Sequence, residues 1–443
     1  MADKIAMTRN AENASRGENE EEEYDPAAHR PPGPLTSDFA VLMHLLKTSI
    51  GNGILFLPNG FRRTGYVMSI ICSVFIGLTC THTVVVLVRC AQVLCRRNRI
   101  PMLDFAQTAE VSFQSGPRWI RKYGKTFGVF INIFVCFVHF QGAVIYILYV
   151  ATSFQQVIEF FSGFEMDARI YIAALFPFVC GLGFVPNLAY LAPFSIIGFL
   201  FMFVGICVTL YYLLDNFPDP GRLETFTDVL HVPMYCNLML YALHNVTMYM
   251  PLENTMKNPH HLPRLITFNM LLNTCLYTAF GFLGYNKYML DTCDTVIKNL
   301  PIEETLAQTI KIVISLAVFF SFGLAYYVPM SILWPMIESK FKTPSYGKVA
   351  FQFSGILLTT LLAITIPNMI PLLGLLTALS VTTVMLLIPV LIETATKWHE
   401  ATRLLLAKNI SIFLIWMLLL IFGAIESTWS IIREYNGVKE KGC

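Results

Sequence analysis

Charge is what this sequence has least of. Asp, Glu, Lys and Arg together supply 14% of 443 residues, against roughly 25% in a typical soluble domain, which excludes a chain surrounded by water. The formal net charge of +2 comes without the clustered basic surface of a nucleic-acid reader, so no nucleic-acid partner is expected. No GxGxxG, Walker, HExxH or GxSxG pattern occurs, which leaves nothing to support an enzyme. Cysteine itself is not scarce, but cysteines placed for a framework are. Cys72, Cys80, Cys136, Cys207, Cys236 and Cys275 lie inside apolar runs and read as small buried hydrophobes rather than disulfide or metal ligands. A charged-then-apolar leader is also missing, so the first hydrophobic segment is expected to direct membrane insertion.

What is present is apolar surface. A hydrophobic share of 55%, 35 phenylalanines and a mean hydropathy of +0.58 point to an all-α integral membrane protein. Residues 1–36 stand apart, with an acidic run from Glu18 to Glu23 followed by Pro31, Pro32 and Pro34. Such a stretch is expected to be a disordered tail, and the Asn13-Ala14-Ser15 sequon within it is expected to be unused. Eleven apolar spans follow, at 37–58, 66–94, 126–158, 169–188, 189–214, 233–253, 265–288, 305–337, 349–367, 369–393 and 409–432. They make residues 37–433 one transmembrane domain, with a short tail at 434–443. Between the second and third spans, Met102, Phe105, Ala106, Ala109 and Phe113 recur at helical spacing, which predicts an amphipathic helix on the membrane surface. A partner-binding helix is the alternative.

The first span is interrupted at its centre by Gly51, Asn52 and Gly53. Glycine costs about 1 kcal/mol against alanine in a helix interior, so this core predicts two half-helices joined by extended backbone. In hydrocarbon, unwound backbone is tolerated only where protein or a watery cavity supplies hydrogen-bond partners. The competing reading is a packing glycine or an inert kink. The sixth span is irregular too, with Ala242, Leu243, His244, Asn245 and Thr247 together in its middle. Five spans per half would reverse orientation between spans one and six, giving two inverted five-helix repeats plus one helix. Paired interruptions at equivalent places in two halves are the best sequence pointer to a transporter's binding site. Lys and Arg are about twice as frequent in loops on the N-terminal side of the membrane as on the other, which predicts a cytosolic N-terminus and an extracytosolic C-terminus.

Specific residues spread along the chain then resemble a known family. They are His44-Leu45-Leu46-Lys47 with Ile50, Gly51, Gly53, Leu57 and Pro58; Leu87-Val88-Arg89-Cys90; Pro218-Asp219-Pro220; Pro251-Leu252-Glu253-Asn254 with Met256-Lys257; Leu283-Gly284-Tyr285; Tyr327-Val328-Pro329; and Lys408-Asn409-Ile410-Ser411. The sequence resembles the amino acid/auxin permease family, most closely its proton-assisted (proton-coupled) amino acid transporter branch. The resemblance implies an eleven-helix LeuT-type fold of 5+5 inverted repeats plus one helix, with helices 1 and 6 discontinuous. It implies symport of small neutral amino acids with protons, the proton as coupling ion and no other cofactor. It is compatible with the plasma membrane or an endolysosomal membrane.

The departures from that branch fall at the chemistry. Its Lys-Gly-Asn-Ile-Gly-Thr-Gly in span one carries Thr48, Ser49 and Asn52 here, and its Phe-Ala-Phe-Glu-Gly in span six reads Tyr241-Ala242-Leu243-His244-Asn245. Histidine stands where the branch has glutamate. Asn enters left-handed backbone readily, so Asn245 is expected to keep the break that glycine normally allows. The loop between spans three and four lacks the cysteine that the branch commonly pairs with one between spans seven and eight, so Cys293 is expected to be unpaired.

On this resemblance, the backbone of Thr48, Ser49, Gly51, Asn52 and Gly53 is expected to take the substrate carboxylate, and that of Leu243, His244 and Asn245 the amino group. Proton coupling is assigned to His44, with His244 as a second titratable group, since free imidazole titrates near pH ~6.5. The alternatives are a structural histidine at 44 and, with the glutamate lost, an amino acid facilitator or a non-transporting sensor. Lys47 is expected to snorkel or pair structurally, and His260-His261 to be solvated rather than to bind metal.

Overall fold

A backbone N–H or C=O that enters hydrocarbon must find its partner inside the protein, and this chain answers with helices almost throughout. The structure, a computed structural model, describes residues 24–30, 32, 35–185, 188–341, 343–366 and 369–436. The first helix, α1 (Asp38–Ser49), is followed by a 3-10 turn (Asn52–Phe56) and α2 (Leu57–Thr64). Then come α3 (Tyr66–Asn98), α4 (Phe105–Ser115), α5 (Gly124–Ser162), α6 (Ala168–Gly183) and α7 (Leu188–Leu214). The second half comprises α8 (Val232–Leu243), α9 (Val246–Thr255), α10 (Leu262–Tyr288), α11 (Thr305–Ile337), α12 (Pro344–Thr365), α13 (Met369–Leu379), α14 (Ile388–Thr396) and α15 (Arg403–Tyr435). Among the described residues, nine segments are long and apolar enough to cross a membrane, Asp38–Thr64 counted as one, and α6 is a shorter apolar helix.

The core lies where α1, α2, α8 and α10 meet the long helices α3, α5 and α11. Leu45, Leu55, Phe56, Leu57, Phe61, Tyr149, Tyr235 and Tyr326 are all buried there. Rings meet edge to face, with Phe61 against Tyr235 at 5.6 Å and Phe56 against Tyr149 at 6.4 Å between centroids, the arrangement the ring quadrupole favours. The corner between α2 and α3 needs Gly65. Its φ of +83° suits glycine, and a Cβ there would lie 2.7 Å from the Phe226 backbone. The loop before α8 docks on that corner as an extended strap, with Tyr66 N donating to Glu224 O at 3.0 Å and Thr227 N to Thr64 O at 3.2 Å.

Several expectations change. The helix at 105–115 opens with a capping box, Asp104 Oδ1 accepting from Gln107 N at 2.7 Å and Gln107 Oε1 from Asp104 N at 3.0 Å. Its apolar face is spent within the protein: Phe105 and Ala109 are buried, and α4 packs on α5 and α14. The tenth span is not a uniform helix, because residues Thr383–Leu387 form a π turn. Cys293 is disulfide-bonded. His260 and His261 are exposed, as expected, with His261 Nδ1 2.6 Å from Asp38 Oδ2 and Arg96 reaching the His260 ring at 3.2 Å.

The N-terminal tail also differs from expectation where it is described. Residues 1–23, and residues 437–443 at the other end, lie outside the described residues. Residues 24–30 form a 3-10 turn at Pro26–His29 and place Arg30 beneath α9. Arg30 Nη2 meets both Glu253 carboxylate oxygens at 3.1 Å, and Nη1 donates to Glu253 O at 2.9 Å and to Met256 O at 3.3 Å. Beside it, Thr36 N donates to Thr255 O at 2.8 Å and Lys257 N to Thr36 O at 3.0 Å. Composition could not reveal this, since one bidentate pair with side chains only 6% and 7% exposed anchors an otherwise polar segment.

Removing one member of a buried pair typically costs 3–5 kcal/mol because the other charge is left buried alone. Arg30→Ala is therefore expected to destabilise the protein by about 3 kcal/mol, read as a lowered unfolding midpoint in detergent. An unchanged midpoint would mean that the Arg30–Glu253 pair bears none of the stability.

Candidate functional site

The interruption of the first span is built by residues that satisfy the freed backbone from outside it. Helix α1 ends at Ser49; Ile50 (φ −75°, ψ 87°) and Gly51 (φ −125°, ψ −179°) then run extended into the 3-10 turn. Two side chains of α10 hold that end. Tyr277 Oη donates to Ser49 O, and Asn269 Nδ2 donates to Ser49 Oγ at 3.1 Å. The hydroxyls of Thr48 and Ser49 turn back on their own helix, Thr48 Oγ1 to His44 O and Leu45 O at 3.0 Å and Ser49 Oγ to Leu45 O at 2.8 Å. Their protons are thus taken, and what this stretch offers a ligand is chiefly backbone.

The second interruption separates α8 from α9 at His244 (φ −71°, ψ 105°) and Asn245 (φ −139°, ψ 13°). Asn245 does not enter the left-handed region, so it keeps the break by other means. With its amide nitrogen turned to the backbone, it donates to His244 O at 2.9 Å and to Thr48 O at 3.2 Å, leaving Oδ1 3.1 Å from Ser49 Oγ. One side chain thereby ties the ends of α1 and α8 together. The two stretches also touch directly: a Cβ on Gly53 would sit 2.7 Å from Ala242 Cα, so only glycine lets them approach this closely.

Between the two interruptions lies a cavity of about 270 Å³. Thr48, Ser49, Gly51, Asn52, Gly53, His244 and Asn245 line it, whereas Leu243 is buried beside it and His44 is exposed outside it. Tyr241 Oη donates to Asn52 Oδ1 at 3.3 Å across the wall. Lys47 also reaches the cavity, with Nζ 5.9 Å from the centroid of the Phe199 ring. Helix α5 contributes His139, which the spacing of motifs did not single out. The available signal was an ionisable residue inside a long apolar span, which in a membrane marks a pathway or site by default. Among the described residues no cluster of histidine, cysteine and carboxylate could hold a metal.

A bundle with two facing interruptions around a shared cavity is a transporter's geometry, and comparison of the whole chain identifies which. The sequence profile of the transmembrane amino acid transporter protein family matches residues 36–432. The chain belongs to that family. It is similar to the proton-coupled amino acid transporter-like protein pathetic of Drosophila melanogaster, with 33% identity over 95% of this chain and 90% of that protein. Similarity to the amino acid transporter AVT3C of Arabidopsis thaliana is 24% over 92% and 93%. Among solved structures, the inward-facing conformation of Mhp1 matches with a TM-score of 0.55 at 12% identity, covering 91% of both chains. A closed conformation of Mhp1, a nucleobase-cation-symport-1 family transporter with bromovinylhydantoin bound, matches with a TM-score of 0.51 at 14% identity, covering 94% and 95%. The protein is therefore a member of an amino acid transporter family with a LeuT-like fold, not an enzyme.

The glycines of the transporter's first interruption separate two roles. A Cβ at Gly51 meets nothing nearer than Ser49 O at 4.0 Å, while one at Gly53 collides with backbone at 2.7 Å. Gly53→Ala is expected to lower the yield of folded protein or abolish uptake, and Gly51→Ala to fold normally while raising KM, because its methyl enters the cavity. Equal behaviour of the two variants in size-exclusion and uptake assays would contradict this division.

Proposed function

We propose that the protein is a secondary active transporter that carries small neutral amino acids by proton symport and alternating access. The observation that carries this reading is the cavity lined by two stretches of non-helical backbone, one following α1 and one between α8 and α9. Freed N–H groups at the start of the 3-10 turn suit a carboxylate, and freed carbonyls at the ends of α1 and α8 suit an ammonium group. In this reading the nine long spans, α6 and the α8–α9 pair make eleven crossings, the first and sixth discontinuous, arranged as inverted repeats plus one helix. The N-terminus is cytosolic and the C-terminus extracytosolic, and the membrane is the plasma membrane or an endolysosomal one. The relative named as proton-coupled supports the proton as coupling ion.

His244, at the position of the branch's glutamate and facing the cavity, is the proposed titratable group, and His44, one turn from Thr48, is the second. A facilitator or sensor is the alternative reading, because histidine stands at position 244 where the branch has glutamate.

The reading is tested by uptake of labelled glycine, alanine and proline into proteoliposomes with and without an inward proton gradient. A symporter accumulates substrate only with the gradient, a facilitator equilibrates without it, and a sensor binds without uptake. His244→Gln is expected to remove the stimulation of uptake by acidic external pH. A pH profile identical to the parent protein would take His244 out of the coupling step.

A further inference from the structure

The cavity holds more than an α-amino acid backbone needs. Three buried nitrogens on its lining residues have no hydrogen-bond partner: Asn52 Nδ2, His139 Nε2 and His244 Nε2. They come from three different elements, the 3-10 turn after α1, helix α5 and the α8–α9 interruption. Asn52 Nδ2 is a donor, because the other amide atom already accepts from Tyr241. An orphaned buried polar group costs about 1–3 kcal/mol, so three around one space mark where a ligand supplies the missing partners. Among the described residues lining the cavity none is acidic, while Lys47 adds a cation. A cationic side chain would find no counter-charge, and a purely aliphatic one would leave the nitrogens unmatched.

His139 decides the assignment. The α-carboxylate and α-ammonium are met by backbone at the two interruptions, and α5 takes no part in either. His139, which lines the same cavity from α5 with its Nε2 shielded in the wall, is therefore placed beside the substrate's side chain. A volume of about 270 Å³, roughly nine waters at about 30 Å³ each, would leave glycine or alanine surrounded by solvent.

We infer that His139, with His244 and Asn52, forms a side-chain subsite for amino acids bearing a carbonyl oxygen beyond the β-carbon, the carboxamides and carboxylates of glutamine, asparagine, glutamate and aspartate. This rests on the amino acid transport proposed above and widens its substrate class. Each Nε2–H donates to the side-chain oxygen, and Lys47 offsets its charge where it is a carboxylate. Substrates with basic side chains are rejected.

The test compares labelled glutamine, glutamate, alanine and lysine in proteoliposomes of the purified full-length protein, for the parent chain, His139→Leu and His139→Gln. Expected is uptake of glutamine or glutamate and none of lysine. His139→Leu should raise the ratio of glutamine (or glutamate) KM to alanine KM about tenfold, the worth of one hydrogen bond. His139→Gln, which keeps a donor, should restore most of it. Preference for glutamine identifies a carboxamide, preference for glutamate a carboxylate, and either supports the subsite. Alanine uptake with no uptake of, or competition by, either acceptor-bearing substrate overturns the subsite and leaves the transport reading standing. If no amino acid moves, the transport reading fails, and thermal shift of the purified protein by glutamine and glutamate decides the subsite alone: no shift with either overturns it.

Discussion

The structure depends on one constraint, that a peptide group in hydrocarbon must be bonded. The helices meet it without help; the two stretches that leave the helix do not, and each is met by particular side chains. Ser49 O takes a proton from Tyr277, Ser49 Oγ one from Asn269, and Thr48 O one from Asn245. Helix α10 and Asn245 thus act as the missing helical turn. Both stretches line the cavity, so the site and the interruptions coincide.

The same constraint explains where the residues that carry the family resemblance lie. Most are fasteners away from the cavity. Glu253 receives Arg30, Asn254 Nδ2 donates to Leu103 O at 3.1 Å, and Lys408 and Lys397 both pair with Glu393, at 2.8 and 2.9 Å. Gly284 leaves room for Pro58, which a Cβ would approach to 2.5 Å. A chain can change residues at its cavity, as Thr48, Asn52, His244 and Asn245 have changed here, while the fasteners keep the bundle.

Much of this was legible in the residues. The apolar runs placed the spans to within a few residues, because a helix that must cross hydrocarbon advertises its length in composition. Gly51 and Gly53 located the first interruption, since helix propensity is a local property. The second was visible only as an irregular run, and its mechanism was misjudged: Asn245 keeps it by bonding the facing helix end, not by left-handed backbone. His139 and His44 show the limit of spacing. Both are lone histidines in apolar helices, and nothing local says that one faces the cavity while the other is exposed.

The sequence by itself determined that the chain enters a membrane, where its helices run, and to which family it belongs, because hydrophobicity and motif are written residue by residue. Only the tertiary structure decided which polar side chains converge. Arg30 on Glu253, Asn245 between two helix ends, and His139 and Asn52 on one cavity bring together residues far apart in the chain. Their partners are set by how helices pack around glycine, and that is a property of neighbours which no single segment contains.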